Sequence, residues 1–314
     1  MRLPSVTTLV GNEFDGGEHK FSDFVRGADD CIYGIPFKAR RVVKFNPVDK
    51  SWKEIGPDFG AGGYKWHRGV LANNGIIYCI PYYSVKFLKI DTVNETVTLL
   101  DTELPETGDT RWSPGALAHD GCIYFMPYNA CRILRFDPED ESVASVGEDL
   151  GEGCEKYENT VLGTNGWLYG IPYGSDRIVR FNPIDQSISL VGEEADVRFE
   201  CDDGALGRDG YIYASSYDGR IGRLLKIDVA NNIYSFVEHG IWAHSVGWGA
   251  PLLGNDGCIY WPPAAANRTL KFDPETHVAS LVGDHFEDTS LKRMGGVVGP
   301  DGLSSTCQVL PLKF

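Results

Sequence analysis

The sequence predicts an all-β chain built from seven copies of one four-stranded antiparallel unit. The first observation is a repeated hexapeptide, which reads C-I-Y-G-I-P at Cys31–Pro36 and I-I-Y-C-I-P at Ile76–Pro81. The second is its spacing, because the tyrosine at its centre recurs every 44 to 47 residues. The third is the alternation of apolar and polar residues around each copy, which is typical of short strands. The repeat positions are Tyr33, Tyr78, Tyr124, Tyr169, Tyr213 and Tyr260, with Ser305 in the seventh place.

The four strands of a unit are clearest in the second copy. An apolar run at His67–Ala72 leads through an Asn-Gly pair into Ile76–Pro81, and Asn-Gly supplies the positive-φ residues of a tight hairpin. We assign the third strand to Lys86–Ile90 and the fourth to Thr96–Leu100. In four other units the turn between these last two strands reads Phe-Asn-Pro or Phe-Asp-Pro, which favours a type I turn.

These units resemble the blades of a β-propeller, broadly of the WD-repeat and kelch kinds. The resemblance covers the whole chain and implies one domain, residues 1–314, of seven four-stranded blades. Ser5–Gly11 matches the outermost strands of later units, such as His277–Gly283, whereas the C-terminal Leu312–Phe314 matches a third strand. We therefore expect the N-terminal strand to join the C-terminal blade and close the ring.

Charge, hydropathy and cysteine positions limit which partners the protein is expected to bind and in which compartment it is expected to occur. A net charge of −15 disfavours nucleic acid and membrane surfaces, because both require a basic face. No run approaches the roughly 20 apolar residues of a membrane span. The 8 cysteines form no C-x-x-C motif, and Cys31, Cys122 and Cys258 share one apolar repeat position. We therefore predict reduced thiols, no metal site and a cytoplasmic protein; secretion after removal of a leader is the alternative.

A basic residue recurs where five of the seven innermost strands are predicted to begin, with Glu200 and Gly247 at the same position in the other two. The next residue is aromatic in five of the seven units. In propellers this position lies at the rim of the central channel, so the resemblance implies cations and aromatic rings around one mouth. A solvated, ion-paired rim is the simpler interpretation, because two charges about 10 Å apart repel by only ~0.4 kcal/mol in water. The alternative is a binding site with these candidate residues: Lys20, Lys65, Trp66, Arg68, Arg111, Trp112, Lys156, Tyr157, Trp248 and Lys292.

Histidines and carboxylates are expected on the same face. His67, Glu158 and Asp202 follow the basic position in three units, and His244 lies in an expanded loop before the sixth. Such groups serve as general acids and bases or bind a divalent metal. No pair has the local spacing of metal ligands, and no nucleophile elbow or phosphate loop is present. Exposed histidines without a function are the simpler interpretation.

We expect a non-catalytic propeller that binds a protein segment or a small anionic ligand at the channel mouth. The alternative is an enzyme, a lyase or hydrolase with or without a metal, that acts on an anionic sugar or lactone at the same face. Its catalytic candidates are His67, Glu158, Asp202 and His244. A third possibility is a scaffold subunit of a large assembly. The sequence identifies no cofactor.

Overall fold

The computed structural model describes residues 20–106, 110–193, 198–216, 222–241, 247–264, 266–283, 285, 297–298 and 304–305. These residues form six four-stranded sheets and one two-stranded sheet. Within each four-stranded sheet the strands lie in chain order and neighbours pair antiparallel, so every sheet is a meander. The described residues contain no helix long and apolar enough to cross a lipid bilayer.

The first three sheets span residues 21–146. The first contains β1 (Phe21–Arg26), β2 (Ile32–Pro36), β3 (Val42–Phe45) and β4 (Trp52–Ile55). The second contains β5 (Trp66–Leu71), β6 (Ile76–Pro81), β7 (Leu88–Asp91) and β8 (Thr96–Leu99). The third contains β9 (Trp112–Leu117), β10 (Ile123–Pro127), β11 (Ile133–Asp137) and β12 (Ser142–Val146).

The remaining sheets span residues 157–305. The fourth contains β13 (Tyr157–Leu162), β14 (Leu168–Pro172), β15 (Val179–Phe181) and β16 (Ile188–Leu190). The fifth contains β17 (Cys201–Leu206), β18 (Tyr211–Ser216), β19 (Arg223–Asp228) and β20 (Ile233–Glu238). The sixth contains β21 (Leu252–Leu253), β22 (Ile259–Trp261), β23 (Thr269–Asp273) and β24 (Val278–Val282). The two-stranded sheet pairs β25 (Val297–Val298) with β26 (Ser304–Ser305).

The sheets are arranged radially as propeller blades. The first strand of each blade contacts the first strand of the next, from β1 through β5, β9, β13 and β17 to β21, and β25 contacts both β21 and β1. The apolar cores lie between adjacent blades. Tyr33 and Ile35 of the first blade, for example, pack in one cluster with Trp66, Ile77 and Leu88 of the second.

The prediction of seven four-stranded blades is wrong, because the described residues form six. In the place of the seventh they form the two-stranded sheet β25–β26. The sequence period continues through this unit, but Ser305 stands in the place of the tyrosine, and serine has no aromatic ring to pack between blades. The predicted closing strand, Ser5–Gly11, and the C-terminal Leu312–Phe314 lie outside the described residues.

The repeat tyrosine belongs to the scaffold. Its ring is at most 1% exposed in the first five blades. In four blades its hydroxyl donates to an aspartate four residues earlier, from Tyr33 to Asp29 at 2.9 Å and from Tyr124 to Asp120 at 2.7 Å, for example. In two blades an asparagine in the same position, Asn165 in one of them, donates to the hydroxyl instead. The tyrosine therefore ties the second strand to the turn that precedes it.

The innermost strands share a β-bulge near their first residue. In five blades the pairing of the first and second strands shifts by one residue at the same place. The bulge lies between Phe21 and Asp23 in the first blade and between Tyr157 and Asn159 in the fourth. A bulge breaks the alternation of a strand and re-aims the side chains beside it. The side chains directly after the basic position therefore do not follow the inward and outward alternation of the rest of the strand.

Candidate functional site

The periodic basic residues anchor loops through their backbone. The carbonyl oxygen of Lys65 accepts hydrogen bonds from two backbone N–H groups of the loop after β6. In their own blades the carbonyls of Lys20 and Arg111 accept three such bonds each, and that of Lys156 accepts one. Gly247 occupies this position in the sixth blade, and its carbonyl also accepts two such bonds. The position therefore serves the fold whichever side chain it carries.

Three of the predicted cations have partners within the protein. Lys65 Nζ donates to the Ala39 carbonyl at 2.9 Å, and Lys156 Nζ donates to the Gly153 carbonyl at 3.0 Å. Burial lowers the pKa of both ammonium groups. Arg111 forms an ion pair with Glu106. Lys20 is buried, and Lys292 lies outside the described residues.

The aromatic residues beside these cations lie inside the blades, which corrects their predicted position at the mouth. Trp66, Trp112 and Trp248 are at most 6% exposed. Each indole N–H donates at 2.8–3.0 Å to a carbonyl just before the third strand of its own blade. Tyr157 is equally buried, and burial raises its pKa to about 12. These rings therefore join the first strand to the third and offer little surface to a ligand.

A different set of aromatic residues is accessible on this face. The residue after the repeated hexapeptide is Phe37, Tyr82, Tyr128 or Tyr173 in the first four blades. Phe37 is buried, whereas the three tyrosines are partly exposed, and we call Tyr82, Tyr128 and Tyr173 the tyrosine collar. The rings of Tyr128 and Tyr173 lie 6.5 Å apart with an interplanar angle of 22°. The sequence-based candidates did not include the collar, although each of its tyrosines directly follows a copy of the hexapeptide.

Charged side chains from four blades meet near the tyrosine collar. We call Asp23, Arg68, Glu158, Asp202 and Asp203 the channel cluster, and all five lie at the bulges of β1, β5, β13 and β17. Arg68 forms a hydrogen-bonded ion pair with Asp203, and these side chains are 13% and 7% exposed. The Arg68 backbone adopts a φ of 57°, and its N–H donates to the Ser22 hydroxyl at 3.2 Å.

The Arg68–Asp203 pair is incompletely satisfied. Among the described residues, Arg68 Nε and Asp203 Oδ1 have no hydrogen-bond partner, although both atoms are buried. Buried polar atoms in proteins are nearly always bonded to protein groups or ordered water. These two atoms therefore mark a place where water or a ligand group completes the structure.

The carboxyl groups of the cluster have raised pKa values. Burial raises the pKa of Glu158 well above its usual range, and the charges of Asp202 and Asp203 raise it further. Burial likewise raises the pKa of Asp23 to about 6, although the Arg68 charge opposes the change. Burial also opposes the charge of Arg68, but Asp203 and Asp23 outweigh it and raise the pKa of the guanidinium. The cluster thus holds more acidic groups than one guanidinium neutralises.

Glu158 links the cluster to the tyrosine collar. Burial raises the pKa of Tyr82, Tyr128 and Tyr173, and the Glu158 charge contributes to the increase in all three. The collar and the cluster are therefore close enough to act on one ligand.

The structure places His67 at the edge of the same site. Its ring lies 5.2 Å from that of Tyr82 and 6.3 Å from that of Phe37, and it is 8% exposed. Burial, together with the Arg68 charge, lowers its pKa to about 3, so the imidazole is neutral at pH 7. His244 lies outside the described residues. Within the described part of the chain, no three His, Cys, Asp or Glu side chains are arranged to hold a metal ion.

Comparison with known proteins identifies the fold and no family. No family model matches the sequence, and no curated protein matches it. A streptogramin B lyase structure is similar with a TM-score of 0.76 and 15% identity over 93% of this chain and 91% of the lyase. A catalytically inactive virginiamycin B lyase of Staphylococcus aureus, solved with quinupristin, has a TM-score of 0.74 and 13% identity over 91% of each chain.

An unrelated activity occurs on a similar structure. Hydrazine synthase of Kuenenia stuttgartiensis has a TM-score of 0.68 and 12% identity over 96% of this chain and 94% of that chain. Likeness at this level of identity shows the fold alone, because one fold supports many activities. The predicted resemblance to β-propellers is confirmed, and the described residues form a β-propeller with six four-stranded blades.

Proposed function

We propose that this propeller binds a small ligand where the tyrosine collar meets the channel cluster. The buried Arg68–Asp203 pair carries the proposal, because Arg68 Nε and Asp203 Oδ1 have no partner among the described residues. Each such buried atom left unsatisfied costs about 1–3 kcal/mol. A polar ligand would supply hydrogen-bond partners there, and the partly exposed tyrosines would supply contact area.

The charged side chains at the site favour a different class of ligand from the anionic one that the sequence predicted. Sequence analysis led us to expect a small anion or an acidic protein segment held by a ring of cations. Lys65, Lys156 and Arg111 already bind groups of the protein, and within the described residues the carboxyl groups of the channel cluster outnumber the Arg68 guanidinium. An anion would be repelled by these carboxyl groups, so we propose a cationic or hydroxyl-rich ligand in its place.

Enzymatic activity is the second proposal, and Glu158 is the residue that favours it. A carboxyl group with a raised pKa keeps its proton to a higher pH than an exposed one and can act as a general acid. The similar structures include lyases, but that likeness concerns the fold. Catalytic roles for His67, Glu158, Asp202 and His244 remain predictions.

A ligand screen tests both proposals. Purified protein is screened by ligand-detected NMR against a library of small cationic, neutral polyhydroxylated and anionic compounds, and each hit is then incubated with the protein to detect turnover. We expect hits among the cationic or polyhydroxylated compounds. Conversion of a hit to product would favour the enzyme, whereas unchanged ligand after long incubation would favour the binding protein.

Three variants locate the binding site of any hit. Tyr128→Ala and Glu158→Gln should each weaken binding by about tenfold, because each removes a contact worth about 1.4 kcal/mol at the centre of the site. Glu139→Gln is the matched control, since Glu139 is exposed in the turn between β11 and β12. Hits that bind the first two variants as tightly as the control would overturn the assignment of the site.

A further inference from the structure

We propose that the ligand carries an organic ammonium group, which contacts the tyrosine collar and is neutralised by the channel cluster. The proposal rests on the ligand-binding function argued above and specifies the chemistry of that ligand. The group could belong to a small amine or to a lysine side chain of a partner protein, and the experiment below separates these two sources.

The collar provides the aromatic part of such a site. Tyr128 and Tyr173 form one wall with nearly parallel rings, 6.5 Å between centroids and 22° between planes. Tyr82 packs against His67 within the second blade, with ring centroids 5.2 Å apart. The face of a phenol ring attracts a cation within about 6 Å of its centroid, and several such rings together recognise alkylated ammonium groups.

The channel cluster provides the charge. Within the described residues, the carboxyl groups of Asp23, Glu158 and Asp203 lie near one guanidinium, that of Arg68, which already pairs with Asp203. A monovalent cation beside Asp23 and Glu158 would stabilise their ionised forms, which burial disfavours.

A second observation, independent of the charge count, points to a ligand. The Asp203 side chain is only 7% exposed, and its Oδ1 atom has no partner among the described residues although Oδ2 binds Arg68. An oxygen in this state accepts a hydrogen bond, which either an N–H group of a protonated amine or a hydroxyl beside a quaternary ammonium, as in choline, can donate.

The arrangement favours an organic cation over a metal ion. A metal requires several oxygen or nitrogen ligands that converge on one point at about 2–2.6 Å. No set of three such groups converges in the part of the chain that the structure describes. An alkylammonium group spreads its charge over a larger volume and is satisfied by dispersed carboxylates and ring faces.

Isothermal titration calorimetry with two pairs of probes tests this proposal on the full-length protein. The first pair is choline and its neutral isostere, in which a quaternary carbon replaces the nitrogen. The second pair is a short peptide containing lysine and the same peptide with the lysine acetylated. We expect the charged member of at least one pair to bind about tenfold tighter than its neutral partner. Preference within the first pair indicates a small amine, and preference within the second indicates a protein segment.

Glu158→Gln and Tyr128→Leu should each reduce that preference by about tenfold. Tyr211→Leu is the control, because Tyr211 begins the second strand of its blade whereas the collar follows the other end of that strand. Unchanged thermal unfolding of Glu158→Gln, whose amide has nearly the same size as the carboxyl it replaces, shows that the variant is folded.

The outcomes separate this inference from the function on which it rests. If the library screen finds ligands of the collar but charged and neutral probes bind equally, the ammonium inference is overturned and the binding function stands. If no library compound and no probe binds at the collar, both are overturned. A preference that survives in Glu158→Gln and Tyr128→Leu would also contradict the inference, because the charge would then be recognised elsewhere.

Discussion

Asp23 shows how the channel cluster affects the stability of the protein. The carboxyl lies between blades, near the guanidinium of Arg68 and the carboxyl of Asp203. Burial is the largest effect on its pKa and raises it from 3.8 to about 6, so the attraction of Arg68 offsets only part of the desolvation. At neutral pH the ionised Asp23 carboxylate is therefore less well solvated in the folded protein than in the unfolded chain, and this difference lowers the free energy of unfolding.

The pH dependence of this effect leads to a prediction. Since the pKa of Asp23 is higher in the folded than in the unfolded state, its contribution favours folding most below pH 3.8 and is lost as the pH rises to about 6. Asp23→Asn removes the titration. We expect it to raise the free energy of unfolding by about 1–3 kcal/mol at pH 8 and to change it little near pH 4. Urea denaturation at both pH values provides the measurement, and an equal effect at both would contradict the assignment.

At the same scale, the sequence predicted part of the channel cluster. Arg68, Glu158 and Asp202 were expected on one face from their places after the basic position, and the structure brings them together in the channel cluster. Asp23 was missed because its importance depends on Arg68, which is remote in sequence. The tryptophans were placed at the mouth because aromatic spacing does not reveal whether a ring faces solvent or, as for Trp112, bonds its own blade.

At the scale of the element, the link between the first and third strands explains the basic-aromatic repeat. The carbonyl of the basic residue holds the loop after the second strand, and the indole after it donates to a carbonyl before the third strand. These bonds attach the start of β5 and the start of β9 to the rest of their blades. In the sixth blade Trp248, which precedes β21, makes the same kind of bond. The basic-aromatic repeat therefore marks the residues that connect the first strand of a blade to its third strand.

Replacement of one indole tests this joint. Trp112→Phe keeps most of the apolar surface but removes the Nε1–H donor, so the buried carbonyl of Arg132 loses its partner at 2.8 Å. We expect a loss of about 1–3 kcal/mol in the free energy of unfolding, measured by urea denaturation with an unchanged dependence on denaturant concentration. Trp167→Phe is the control, because Trp167 is only partly buried and stacks under Arg180. Equal losses in the two variants would contradict this role of the indole.

Alternation of apolar residues was sufficient to locate most strands of the second blade. The hexapeptide strand was predicted at Ile76–Pro81 and is observed there, and the fourth strand, predicted to end at Leu100, ends at Leu99. The bulges were not predicted. Each bulge adds one residue to the first strand. Because five blades have this residue at the same place, the spacing between repeats stays the same and does not reveal it.

At the scale of the whole molecule, sequence period and blade number differ. Counting tyrosine positions gave seven units, yet the described part of the chain forms six four-stranded blades. The repeat length shows how the chain is divided, whereas a blade needs specific side chains, and the last unit has Ser305 where the other six have a tyrosine. The two-stranded sheet still contacts both β1 and β21, so it lies between the sixth and first blades.

The net charge of the molecule leads to a prediction about binding kinetics. A protein with a net charge of −15 attracts cations from a distance, and salt screens that attraction. If the ligand is an ammonium ion, its association rate constant should fall several-fold between about 20 mM and about 300 mM NaCl, while the dissociation rate constant changes little. Stopped-flow measurements of intrinsic fluorescence would report both constants. A neutral isostere should show no such dependence, and a salt-independent rate for choline would argue against the mechanism.

The bulges at the start of the innermost strands also have an evolutionary consequence. Each bulge presents adjacent side chains that lie beside the ladder of cross-strand hydrogen bonds, such as Ser22 and Asp23, or Asp202 and Asp203. Substitutions there alter the chemistry of the channel without breaking strand pairing. Five blades therefore offer five nearly independent sets of variable positions on a constant frame, so a new ligand specificity could arise one blade at a time. A library randomised at these positions alone would retain the fold while sampling many binding sites.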